Sequence, residues 1–199
     1  MTSIRSVSVL ATAAFALIAT SSASAGLITF TYSGIASGTW SSGIYSGQTF
    51  TNKAFTITGT GLTEQRSANG AGLFGGYSIR HSTTLISIAG FSDLAVTSNL
   101  FTQTDPEGGM WLVAGSIQGN YVLGTSGPAS WDMLTSLPPA QYSVGYPASI
   151  IPTISTTFGG LKFTSFVSPI TFGGQLVPAP GAVALVGLAG LAGSRRRRA

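Results

Sequence analysis

The chain has 199 residues, of which 44% are hydrophobic and only 7% charged. Its formal charge of +4 misleads, because Arg5 and Arg195 to Arg198 lie at the two ends. Between them Lys53, Arg66, Arg80 and Lys162 face Glu64, Asp93, Asp105, Glu107 and Asp132, so no basic cluster suits nucleic acid, and the lack of cysteine excludes disulfides, thiol catalysis and thiolate metal sites.

Residues 1–25 have the pattern of a secretory signal peptide. Arg5 supplies the positive start and Val7 to Thr20 the apolar run. Ala23 and Ala25 occupy the small-residue positions of an Ala-x-Ala cleavage site. The mature chain is expected to begin at Gly26. A permanent membrane helix is disfavoured, since the apolar run is short and ends in small polar residues.

Residues 26–176 are long enough for one domain with a core. The dominant signal has period two. Ile28-Thr29-Phe30-Thr31-Tyr32 and Phe55-Thr56-Ile57-Thr58 alternate large apolar side chains with threonine, as do Ile86-Ser87-Ile88 and Leu161-Lys162-Phe163-Thr164 more briefly. Such alternation puts one face on a core and the other in water, and threonine's β-branch suits the extended backbone. Met110 to Ala114 and Tyr121 to Leu123 are continuously apolar and predict central strands. Asn69-Gly70, Gly75-Gly76, Gly108-Gly109, Gly119-Asn120, Gly159-Gly160 and Gly173-Gly174 predict turns. Trp131, Leu134 and Leu137 at helical spacing, with Ser130 as cap and Pro138-Pro139 as stop, predict a short helix over 130–137. Pro169 is expected at the last hairpin. The fold class is all-β: an antiparallel, jelly-roll-like sandwich of eight to ten short strands, with a barrel as the alternative. An outer-membrane barrel is disfavoured by short, uneven strands.

Few residues here suggest chemistry. A Ser-His-Asp triad would need His81, the one histidine, with Ser78 or Ser82 and Asp93, yet no Gly-x-Ser-x-Gly elbow is present. His81 beside Arg80 is expected at the surface. A glycosidase pair would have to come from Asp93, Asp105, Glu107 and Asp132. Asp105-Pro106-Glu107-Gly108-Gly109 reads as a solvated hairpin turn, with a calcium loop as the alternative. Trp111 is expected in the core. Trp40, between Thr39 and Ser41 among glycines, is the aromatic expected to be exposed and the candidate ligand-binding residue. No catalytic residue, metal ligand or cofactor is assigned.

Residues 177–199 combine three parts in order. Pro178 and Pro180 end the preceding element. Ala182 to Ala192 contain only Ala, Val, Leu and Gly. Arg195, Arg196, Arg197 and Arg198 then add charges that favour the cytoplasmic side. Counted from Leu176 to Gly193, the apolar stretch would be roughly 27 Å long as a helix, a minimal transmembrane span.

This tail resembles the sorting signal of PEP-CTERM proteins, in which a Pro-Glu-Pro motif precedes a transmembrane helix and an arginine cluster. Here the motif reads Val177-Pro178-Ala179-Pro180, with Ala179 where the family usually has glutamate. The opening strands, Ile28 to Thr39 and Phe50 to Thr60, also look like the β-rich extracellular domain that many such proteins carry. The resemblance implies sorting by exosortase, a membrane-embedded transpeptidase-like enzyme of bacteria that export polysaccharide. It implies an inner-membrane intermediate and a final place at the cell surface or outside the cell. With no catalytic constellation, the expectation is a non-enzymatic surface or matrix protein associated with exopolysaccharide. A carbohydrate-binding module with the same address and a secreted hydrolase are the alternatives.

Overall fold

A computed structural model of the chain describes residues 26–69, 75–115, 120–128, 131–146 and 151–177. The period-two segments are strands, and they are long. β1 (Leu27–Trp40) and β2 (Thr49–Leu62) have 14 residues each, and the 41–48 turn joins them into a hairpin. Ile28, Phe30 and Tyr32 of β1 and Phe55 and Ile57 of β2 point inward and are buried, while the threonines between them point outward. A 3-10 turn (Thr63–Gln65) and short β3 (Ser67–Asn69) lead to β4 (Gly76–Ile88). Next come β5 (Leu94–Ala95), β6 (Leu100–Thr104), β7 (Gly109–Ala114) and β8 (Tyr121–Ser126). β9 (Leu137–Tyr142), β10 (Val144–Tyr146) and β11 (Ile154–Thr156) precede β12 (Gly159–Val177), which has 19 residues.

All strand pairs are antiparallel, in the order β10-β8-β7-β6-β4-β2-β1-β12-β11, with β3 and β5 on β4 and β9 on β12. The sheet curls until its two sides nearly meet, and it does so along two routes. On one, β10 pairs with β8 while β9, a single residue upstream, pairs with β12. On the other, β5 pairs with β4, and a bridge from Val96 to Thr156 continues it to β11 and so to β12. Near-closure suits the sequence because it leaves few unpaired strand edges to water. Met110 to Ala114 and Tyr121 to Leu123 lie in strands paired on both sides, as their apolar runs predicted.

Four expectations are corrected. Consecutive main strands are sheet neighbours from β1 through β8, which is a meander and not the Greek-key order of a jelly roll. Twelve strands are present among the described residues, and the longest exceed the short lengths expected. One reason lies in glycine. Gly173-Gly174 is no turn, because a Cβ at Gly174 would fall on the Trp131 ring, and Gly173 lies under Pro139. These glycines are packing slots within a strand. Pro169 likewise ends nothing: it lies where β12 shifts register against β1, a place where a missing backbone donor is tolerated.

The helix expected over 130–137 is absent from the described part of that segment, residues 131–137. Asp132 Oδ1 accepts hydrogen bonds from the Leu134 backbone N–H at 2.9 Å and the Thr135 hydroxyl at 3.4 Å, and Trp131 Nε1 donates to the Thr135 carbonyl at 3.0 Å. These local bonds compete with helical ones. Met133 has φ 59° and is fully buried. Trp131 meets Phe30 and Phe172 edge-on at 6.2 and 5.8 Å. The segment thus plugs the core, and Pro138-Pro139 belong to β9 instead of stopping a helix.

Candidate functional site

The two chain ends of the described region meet. Leu27 opens β1, Val177 closes β12, and the two are direct partners. Gly26 is tied down as well: its N–H donates to Thr63 Oγ1 at 3.1 Å and its carbonyl accepts from Thr63 N–H at 2.9 Å. Val177, first residue of the tail motif, is therefore the last residue of a strand, and Leu176 pairs with Ile28. Ala23, Ala25, Pro178, Ala179, Pro180 and Arg195 to Arg198 lie outside the described residues. No helix among the described residues is long and apolar enough to cross a membrane.

Trp40 sits at the opposite end of β1 and is 2% exposed, which corrects its expected role as an exposed stacking platform. Its indole is covered by Tyr45 and Phe91, with ring centroids at 5.1 and 5.7 Å. Alternation decides this: Trp40 is in phase with Phe30 and Tyr32 across the inward positions of β1.

His81 is also inside, against the surface position expected for it. Nδ1 lies 3.0 Å from Thr84 Oγ1 and Nε2 lies 2.9 Å from Thr102 Oγ1, which in turn reaches the Tyr32 hydroxyl at 2.9 Å. The ring stacks on Phe30 at 5.4 Å. Burial pushes the imidazole down to about 3 and the Tyr32 hydroxyl up, so both are neutral in this chain of hydroxyls. The triad considered above does not form. Both ring nitrogens are taken by threonines, Ser78 bonds Ser67, and Asp93 accepts from Ser87 on the outer face.

Of the carboxylates, Asp105 and Asp132 do share a cavity of about 410 Å³, with Tyr77 and Trp131 in its wall. Asp105 is committed to structure: Oδ1 accepts from Gly109 N–H at 2.6 Å and Oδ2 from Trp111 Nε1 at 2.9 Å. This is the hairpin turn that the sequence predicted between Thr104 and Gly109, with Gly108 at φ 91°. Arg66 stacks over Tyr77 at 4.1 Å and donates to the Asp132 carbonyl at 3.0 Å. Among the described residues, no three His, Cys, Asp or Glu side chains are grouped to hold a metal ion.

A second cavity, of about 520 Å³, lies on the outer face. Thr29 and Thr31 of β1 and Gly173 to Gln175 of β12 form its floor, and Ser136 to Pro139 its wall. The floor continues across the sheet in ranks of paired residues. One runs Gln175, Thr29, Thr60, Thr83 and the next Gly173, Thr31, Thr58, Leu85. A third runs Thr171, Ser33, Thr56, Ser87. None of these positions is charged. The threonine alternation was legible in the sequence, but the wall was not, because it depends on β9 pairing with β12.

No family model, curated protein or solved structure matches the chain.

Proposed function

We propose that the chain is an exported, non-enzymatic surface or extracellular-matrix protein. Residues 1–25 act as its signal peptide, and residues 177–199 as a PEP-CTERM-like sorting signal whose apolar stretch becomes a transmembrane helix. An exosortase-type enzyme would act at Val177 to Pro180 while Arg195 to Arg198 hold the tail on the cytoplasmic side. The observation that supports this reading most is the pairing of Leu27 with Val177. Both address segments leave one end of the barrel side by side, so a chain tethered at either terminus presents the same end to the membrane. Cleavage before Gly26 and between Pro178 and Pro180 leaves every described strand whole.

The test is the mass and cell fraction of the protein recovered from its host. The expected chain begins at Gly26, ends between Pro178 and Pro180, and is found outside the inner membrane. A chain that keeps Arg195 to Arg198 and stays in the inner membrane would sink the sorting reading and leave a plain anchor. The outer-face cavity favours a second reading, that the same exported domain binds carbohydrate.

A further inference from the structure

We infer that the outer-face groove between β9 and β1 is a binding site for a neutral polysaccharide. The inference rests on the exported-matrix reading only for where the polymer is met. The binding itself follows from the groove.

Its floor is made of groups that suit sugar hydroxyls. Thr29 and Thr31 each offer a donor and acceptor lone pairs, and exposed Gln175 offers an amide with both. Gly173 has no side chain, so Pro139 packs directly over it and the wall meets the floor there without a gap. The wall differs: Leu137, Pro138 and Pro139 are apolar and exposed or half-buried. Hydroxyls below and a rigid apolar wall beside them match the two surfaces of a pyranose ring, its polar rim and its C–H face.

Charge selects among sugars. Among the described residues, no Lys, Arg, Asp or Glu lines the groove. A uronate, sulfate or phosphate bound there would lose water without gaining a charged partner. The floor also extends beyond the groove through Thr58 and Thr60 to Thr83. Strands lie about 4.8 Å apart and outward residues about 6.8 Å apart along each, so the hydroxyls repeat on a regular lattice. A repeating floor suits a repeating ligand better than a single sugar. It does not resemble a protein interface, whose centre is rich in aromatic, Met and Arg side chains.

The test is native affinity electrophoresis of the full chain, held in a detergent without a sugar headgroup. Gels contain a neutral β-glucan, a neutral mannan or acidic alginate. Expected is retardation by at least one neutral polymer and none by alginate. Thr31→Glu, which puts a charge on the floor, should weaken it about tenfold or more. Ser46→Glu, exposed in the 41–48 turn beyond the far end of β1 and outside this floor, should keep wild-type retardation. Thermal midpoints check that each variant is folded, and should Thr31→Glu unfold, Gln175→Ala replaces it with a loss of a few-fold. Retardation by alginate alone, by no neutral polymer, or by a neutral polymer undiminished in the folded groove variant would each overturn the site. The mass measurement above is independent, so loss of the groove leaves the sorting reading standing, and loss of sorting leaves the groove.

Discussion

His81 shows how much a residue's neighbours across the barrel can change its meaning. In sequence it sits beside Arg80 in a polar stretch. In space it is inside, because β4 pairs with β2 so that His81 lies across from Gly61, and its ring fills the room left at Gly59. Its nitrogens meet uncharged threonine hydroxyls, and burial away from water disfavours the imidazolium. The folded value of about 3 lies below the ordinary 6.5. Between those values the unfolded chain binds the extra proton and the folded one does not. Stability is therefore unaffected by this group above about pH 6.5 and falls as pH drops below it, by roughly 1.4 kcal/mol per pH unit. Urea midpoints should be lower at pH 5 than at pH 7, and His81→Gln should remove that difference. A midpoint that does not move in the parent chain would mean that His81 reaches water. Trp40 makes the same point in reverse: its polar, glycine-rich sequence neighbours suggested exposure, while its phase along β1 placed it inside.

At the scale of elements, the 131–136 plug replaces a predicted helix. Trp131 and Leu134 have helical spacing, but only Trp131 and Met133 are buried, and Leu134 is exposed. The spacing was real and the period inferred from it was wrong, because Asp132 and Thr135 satisfy the local backbone and side-chain donors in a tight bend. Trp131 also accounts for Gly174, whose missing side chain makes room for the indole. Trp131→Ala should cost about 3–5 kcal/mol in denaturant unfolding, as a large buried aromatic does. Gly174→Ala should cost roughly 1–3 kcal/mol by overpacking. In the double variant the two losses should not add, since the added methyl then enters space that the indole has left. Additive losses would show that the two residues do not share that space.

For the whole molecule, β12 is the strand on which closure depends. It pairs with β1 along most of its length and with β9 and β11 on its other side. Its final segment buries Ile170 and Phe172 completely. A chain ending at Pro178 should therefore unfold at the same temperature as one that keeps the tail, and a chain ending at Ser168 should lose cooperative unfolding altogether. Thermal denaturation followed by near-ultraviolet circular dichroism checks both. A folded, cooperative product of the shorter chain would show that the sheet closes without the final segment of β12.

Much of this protein was legible before any tertiary contact was known. The alternation in β1, β2 and β4 is a local property, since residues two apart share a face in any strand, and it identified both the inward apolar set and the outward threonines. The turn at Asp105 to Gly109 was legible for the same reason. The readings of residues 1–25 and of the tail also rest on contiguous residues, and apart from Val177 those residues lie outside the described ones. What only the tertiary structure decided was which strand lies beside which. That pairing turned Gly173-Gly174 from a predicted turn into a slot and a groove floor, carried Pro169 through a strand, and drew His81 into the core. It also brought Leu27 to Val177, 150 residues on. Such facts depend on partners distant in the chain, and period-two alternation carries no information about which partner a strand will take.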